Sequence, residues 1–240
     1  MSDSPTTAPP VRVSIVIPVY NEIRSVDEVL RRALEAPLPP GCEKEIIVVD
    51  DGSTDGTTVL LRELAEKGLI RFHATVLNFG KGTALRVGFR MATGQILVVQ
   101  DGDLEYDPRD YARLLEPILA GKAQVVYGSR FRGQLTGMAW PNLLANKILT
   151  LLANVLYGAG ITDEATAYKA FRREVLERIE LRCQRFEFCP EVTAKVRRLG
   201  IPIDEVPISY HGRTAAEGKK IRWRDGVEAV WTLIRYRFSR

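Results

Sequence analysis

The sequence predicts an α/β chain built on a mostly parallel central sheet flanked by helices. Short runs rich in Val and Ile alternate with longer segments of helical period, strand then helix four times over, before the pattern stops near Gly133. One run, Ile96-Leu97-Val98-Val99, is apolar at every position, as in a strand covered on both faces. It then drives straight into carboxylates at 101, 103, 105 and 107, and in such sheets ligands bind beyond the carboxyl ends of the strands.

The elements follow in order. "VRVSIVIPV" is a first strand and "SVDEVLRRALEA" its helix; "KEIIVVD" is a second, followed by the helix "DGTTVLLRELAEKG". "IRFHATV" leads to "GTALRVGFRMATG", "QILVVQD" leads to "DPRDYARLLEPILAG", and "AQVVYGS" closes the alternating part. Asp107 caps a helix whose first position is Pro108, and Gly68, Gly94 and Gly121 close the helices before them. Beyond Gly133, helices and short strands are added to the sheet.

With 240 residues, 45% of them hydrophobic, the chain buries a substantial core and reads as one large domain or as one domain with a C-terminal extension. The expected division is a disordered tail over 1–10, a domain over 11–221, and a basic amphipathic helix over 222–240. No apolar run approaches the roughly 18 to 20 residues of a membrane-spanning helix, and "MSDSPTTAPPV" lacks the basic start and apolar centre of a signal peptide. Cys42, Cys183 and Cys189 form no CxxC, and His73 and His211 are the only histidines, which excludes a zinc constellation and a Ser-His-Asp triad. A cytoplasmic chain with reduced thiols is expected.

The net charge of +4 is uneven. From Lys195 to Arg240 there are 11 Lys and Arg against 5 Asp and Glu, so that stretch is +6 and the other 194 residues are −2. Such a basic stretch suits phosphate, whether on lipid headgroups, a phosphorylated substrate or nucleic acid, or it is a solvated surface. It carries no recognisable nucleic-acid reading motif, so nucleic acid is not the expected partner.

Three strand ends are chemically loaded. In "QDGDLEYDP" alternate side chains of an extended segment share a side, so Asp101, Asp103 and Glu105 converge and repel unless a cation sits among them. Mg²⁺ or Mn²⁺ takes one or two protein carboxylates and fills its other positions with water and phosphate oxygens, so this D-x-D at a strand end is either a diphosphate anchor or a solvated strand exit. Gly102 lets a ligand approach the backbone. A calcium-binding EF-hand is excluded, because Tyr106 and Ala112 stand where Gly and Glu are required. In "VVDDGSTDGT", Asp50 and Asp51 end the second strand as acceptors for a ribose or a base, while Ser53, Thr54 and Asp55 cap the next helix. "IPVYNE" offers Pro18, Tyr20 as a stacking or packing surface, and Glu22 as either a ribose acceptor or a first-turn helix residue. "NFGKGTA" fails the Walker A and dinucleotide patterns, and its Lys81 either nears a nucleotide or sits in a turn that feeds a helix.

Together these segments, with "YGSRF", "TDEATAYKAFRREVL" and "EVPISYHGRTAAEGKKI", resemble the inverting family 2 glycosyltransferases of GT-A fold, in particular the dolichyl- or polyprenyl-phosphate mannose synthase type. The resemblance runs from Val11 to Ile221. It implies that Pro18, Tyr20, Glu22, Asp50 and Asp51 hold the nucleoside of a GDP- or UDP-hexose, that Asp101 and Asp103 bind a divalent metal and the diphosphate, and that Glu105 is the third ligand where the mannose synthases often have Gln. Arg130, Arg213 and Lys219 would meet the phosphate of a polyprenyl or dolichyl phosphate acceptor. A further Arg and Ser of some relatives are replaced here by Asn142, Asn146, Lys147 and Thr150.

The implied reaction is attack by a lipid phosphate oxygen on the anomeric carbon, with the nucleoside diphosphate leaving on the opposite face. An acceptor phosphate monoester, with a second pKa of about 6, is already anionic and needs no base. A hydroxyl acceptor, as in polysaccharide or glycolipid synthesis, would need one, and Asp163 or Glu164 is then the candidate. The other alternative is a module that binds nucleotide sugars without turnover. Asn142, Asn146, Thr150 and Asn154 form a polar ridge at i, i+4 spacing on an otherwise apolar helix, and Val227, Val230, Trp231, Ile234 and Phe238 fall at helical spacing beside Arg224, Arg235, Arg237 and Arg240. Both helices either pack on the sheet or lie in the interface of a membrane at its cytoplasmic face.

Overall fold

The structure, a computed structural model, describes residues 9–213 and 223–239. Its strands are β1 (Val11–Val19), β2 (Cys42–Asp50), β3 (Arg71–Ala74), β4 (Ile96–Val99), β5 (Val125–Thr136), β6 (Lys169–Arg172) and β7 (Asp204–His211). The helices are α1 (Val26–Glu35), α2 (Thr57–Glu66), α3 (Lys81–Met91), α4 (Tyr111–Leu119), α5 (Trp140–Tyr157), α6 (Arg173–Glu177), α7 (Phe188–Arg198) and α8 (Trp223–Phe238). The expected tail falls almost wholly outside the described residues. Lys219 and the boundary between the domain and the C-terminal helix lie outside them too.

All seven strands join one sheet in the order β3-β2-β1-β4-β6-β5-β7. β1 runs parallel to β2 and β4, β2 to β3, and β5 to β7. The mostly parallel α/β class is therefore observed. β6 runs antiparallel to both β4 and β5 and separates them, with Leu97 and Val125 each paired to Phe171. Successive residues of β1 serve opposite faces, as the two-residue strand period requires. Val13, Ile15, Ile17 and Val19 pack under α1, α2 and α4, whereas Val16 packs with α3, α5, α7 and α8.

The local signals act largely as expected. Asp107 accepts the Arg109 N–H at 3.0 Å and opens a 3₁₀ turn at Pro108. Gly68 and Gly121 follow α2 and α4 with φ of +71° and +69°. Gly94 does not close a helix. α3 already ends at Met91, and a Cβ on Gly94 would lie 2.5 Å from the Arg12 carbonyl oxygen, so the residue is small because the chain crosses β1 there.

The ridge on α5 faces inward. Thr150 is buried and accepts the Glu164 N–H at 3.0 Å, and Asn154 exchanges hydrogen bonds with the Ile161 backbone at 2.8 and 3.0 Å. Leu144, Ile148, Leu151 and Val155 face out, Val155 with 72% of its surface exposed. α8 rests on α7 and α5 through Ala229, Thr232 and Leu233, leaving Val227, Trp231 and Phe238 exposed.

Candidate active site at the carboxyl ends of the strands

Two cavities open where β1, β2 and β4 end, and they share Lys81, Asp101, Glu105, Phe186 and Asp225. The first, about 520 Å³, is lined by Pro18, Tyr20, Glu22, Asp51, Lys81, Asp101, Gly102, Asp103, Glu105 and Arg213 among others. Ten residues that the sequence singles out thus converge on one hollow. Asp50 lies outside it. Its carboxylate accepts the Ser53 N–H at 3.1 Å and the Ser53 hydroxyl at 2.5 Å, and also holds the Thr58 hydroxyl, so it builds the turn after β2. Asp51 faces the cavity and pins the loop before α3, accepting the Phe79 and Gly80 amides at 2.9 and 2.6 Å. Burial pushes its carboxyl up, and those amides pull it back.

Lys81 opens α3 and pairs with Asp101. Arg213, at the end of β7, donates through Nη2 to Asp103 at 2.5 Å and lies 3.2 Å from Glu22 and 3.8 Å from Glu105. This arginine, expected at the acceptor phosphate, lies in the wall of the first cavity. Glu105 accepts the Arg213 N–H at 2.8 Å and the Tyr210 hydroxyl at 2.9 Å, which ties the segment after β4 to β7. A Cβ on Gly102 would meet the Pro18 carbonyl oxygen and Val19 Cγ2 at 3.1 Å, so what approaches closely here is the end of β1.

Burial and the negative charges of Asp101 and Glu105 hold the Asp103 carboxyl well above the usual range, against the pull of Arg213. Crowded carboxylates of this kind are what a divalent cation relieves. Among the described residues no three His, Cys, Asp or Glu side chains are grouped to hold an ion. Asp101 and Asp103 stay within the one or two carboxylates that Mg²⁺ takes; as they stand, Asp101 pairs with Lys81, Asp103 accepts the Glu105 N–H at 3.0 Å and Arg213 Nη2 at 2.5 Å, and both Glu105 oxygens accept hydrogen bonds too.

The second cavity, about 590 Å³, is more apolar and lies between the sheet, α5, α7 and α8, with Met138, Ile148, Leu149, Phe188 and Val230 in its walls. Arg130 also lines it, buried beneath the surface. Its Nε and Nη2 each donate to Asp163 at 2.7 Å, its backbone N–H does so at 2.9 Å, and its guanidinium stacks 5.0 Å from the centre of the Tyr210 ring. Two of the three guanidinium nitrogens are thus committed, and Asp163 is bound too firmly to serve as a base. Behind the strand end, Gln100 Oε1 accepts hydroxyls from Tyr111 at 2.7 Å and Tyr168 at 2.5 Å, which fixes the residue before Asp101.

Sequence reasoning missed Arg185 and Phe186, from the loop before α7, and Asp225, from α8. That loop reaches the site because its backbone carbonyls take the first amides of α3, Gly82 N–H to Arg185 at 2.9 Å and Thr83 N–H to Gln184 at 3.0 Å. The only local signal was the basic and aromatic pair in "CQRFEF".

The family model for glycosyl transferase family 2 matches residues 14–180. A polyprenol monophosphomannose synthase of Mycolicibacterium smegmatis is 33% identical over 228 residues, covering 90% of this chain and 84% of that protein. An undecaprenyl-phosphate 4-deoxy-4-formamido-L-arabinose transferase of Edwardsiella ictaluri is 31% identical over 210 residues, covering 86% of this chain and only 62% of that protein. Among solved structures, a glucosyl-3-phosphoglycerate synthase of Mycobacterium tuberculosis, in complex with Mn²⁺, UDP and glucosyl-3-phosphoglycerate, has the same fold, with a TM-score of 0.72 at 22% identity over 94% of this chain and 80% of that one.

Proposed function

Because this chain belongs to glycosyl transferase family 2, we propose that it transfers a hexose, with inversion, from a GDP- or UDP-sugar to a polyprenyl or dolichyl phosphate. The observation that carries this reading is the pair of cavities meeting at Asp101, one lined by carboxylates and the other by apolar side chains with a buried arginine. Donor and acceptor chemistries are thereby set side by side. The named activities of the two relatives point the same way.

Tyr20, Glu22 and Asp51 hold the nucleoside, and Lys81 faces the diphosphate. Asp101 and Asp103 would hold Mg²⁺ or Mn²⁺, which supplies positive charge to the departing diphosphate. Arg130 is held by Asp163 with one guanidinium nitrogen left for the acceptor phosphate, and its pre-set orientation suits an anion. An oxygen of that phosphate forms a bond to the anomeric carbon as the bond to the diphosphate breaks on the opposite face. No base is needed, since the monoester is already anionic. Two facts agree with this: Asp163 is engaged with Arg130, and burial pushes the Glu164 carboxyl up to about 8, so it is protonated at neutral pH. Arg213 and Lys219 add cationic charge from the segment after β7.

Among the described residues no helix is long and apolar enough to cross a membrane. The outward apolar side chains of α5 and α8, beside Arg235 and Arg237, suit contact with an anionic bilayer at the cytoplasmic face, where the acceptor lipid is met.

The test is a panel of GDP- and UDP-hexoses with a short polyprenyl phosphate and Mg²⁺ or Mn²⁺, following release of nucleoside diphosphate. Release should require the lipid phosphate, the product should be split by mild acid, and Asp103→Ala should cost on the order of a hundredfold or more in turnover. Unchanged turnover in that variant sinks the metal assignment, an acid-stable product points to a hydroxyl acceptor, and donor binding without release leaves only a binding module.

A further inference from the structure

Glu164 is a buried carboxyl that the mechanism above does not use. It lines the second cavity, and neither of its side-chain oxygens has a hydrogen-bond partner among the described residues. Its backbone is fixed by the bond from its N–H to Thr150 Oγ1. The nearby cation does not pair with it: Lys169 Nζ donates to the Glu164 backbone carbonyl at 2.9 Å and sits 3.5 Å from the centre of the Tyr127 ring. Thr193 is near enough to pull the carboxyl down, yet its hydroxyl meets the Tyr127 hydroxyl at 2.8 Å and forms no bond of good geometry with either Glu164 oxygen. Asp163 is taken by Arg130, and Glu205 accepts the Thr162 and Asp163 amides at 2.8 and 3.0 Å. An unpaired carboxyl in such a place is costly, and a folded chain keeps one where a ligand completes it.

The cavity limits what that ligand is. A lipid chain has no hydrogen bond to give, and a phosphate has no affinity for a carboxyl that is negative and little for one that is neutral. A hydroxyl both donates and accepts, and so satisfies the carboxyl in either state. The cavity holding Glu164 shares Lys81, Asp101 and Glu105 with the donor cavity, so a sugar carried on a diphosphate at Asp101 projects toward it. Resting on the donor reading given above, we propose that Glu164 is a specificity-determining residue that binds a hydroxyl of the transferred sugar.

The full-length chain with Mg²⁺ tests this by the dissociation constants of GDP, UDP, GDP-mannose and UDP-glucose, measured for the wild type, Glu164→Leu and Glu164→Gln. Glu164→Leu should weaken the preferred nucleotide sugar about tenfold, the worth of one or two buried hydrogen bonds, while the matching nucleoside diphosphate changes less than about twofold. Glu164→Gln, which still donates and accepts, should restore most of the loss. Equal weakening of sugar-bearing and sugar-free ligands, or no change in either, overturns the inference. A second arm needs no variant: among monodeoxy forms of the preferred donor, at least one should bind the wild type about tenfold more weakly, and a flat panel overturns the inference even if the leucine variant fails to fold. Failure of every nucleotide to bind removes the donor reading itself, and with it this inference.

Discussion

Replacing Glu164 by Gln should change how stability depends on pH, in a direction the structure fixes. Burial pushes the carboxyl from its ordinary 4.5 to about 8, with Lys169 pulling back and Asp163 and Glu205 pushing further. The other titratable groups facing it are Tyr127 on β5, Tyr157 on α5 and Cys189 on α7. A raised acid binds its proton more tightly when folded, so over this interval the unfolded chain holds fewer protons and stability falls as pH rises. The contribution is fully present below 4.5 and gone above 8. Each tenfold in proton affinity is worth about 1.4 kcal/mol, which gives an upper bound of about 5 kcal/mol, of which about 4 falls between pH 5 and pH 9. Urea unfolding at pH 5, 7 and 9 measures it. Asp103 slopes the same way in both proteins, so the difference between wild type and Glu164→Gln isolates Glu164. The wild type should lose several kcal/mol more than the variant across that range, and the variant should be the more stable protein at pH 9. Parallel pH profiles would refute the claim that this carboxyl is buried and unpaired.

Two more outcomes are expected. Asp163→Ala leaves the Arg130 guanidinium buried without its partner and should cost about 3 to 5 kcal/mol in urea unfolding, whereas Asp163→Asn, which keeps an acceptor, should cost less. Leu151→Asp with Val155→Asp, both on the outward face of α5, should abolish flotation with anionic liposomes at low salt while moving the thermal midpoint by less than about 3 °C; unchanged flotation would remove the membrane contact.

Much of this architecture was legible in the chain itself. β4 announces itself because a strand buried on both faces is apolar at every position, β1 and β2 do so by the apolar runs Ile15-Val16-Ile17 and Ile46-Ile47-Val48-Val49, and the carboxylates follow because the sheet ends where they begin. β6 was hidden. It is four residues long, it includes a buried lysine, and its direction depends on pairings with residues more than seventy positions away. On α5 the ridge is legible as a feature and its facing is left open, because helical period gives two faces and only tertiary packing says which one is covered. The polar side turned inward to meet Glu164 and Ile161. Asp101, Asp103 and Lys81, legible as residues just beyond strand ends, all line the first cavity. The ion pairs of Arg213 were not legible, because its partners, Glu22, Asp103 and Glu105, lie more than a hundred positions before it.

The reversed direction of β6 has an effect on how this protein can change. In a parallel sheet each strand delivers only the loop that leaves it to the working edge. Here the segment arriving at β6 reaches that edge too, and it brings Asp163 and Glu164 with it. Substitutions upstream of this one strand can therefore remodel the half of the hollow around Arg130 without disturbing β1 or β2, which anchor the opposite half. The two halves of the hollow are mounted on separate supports.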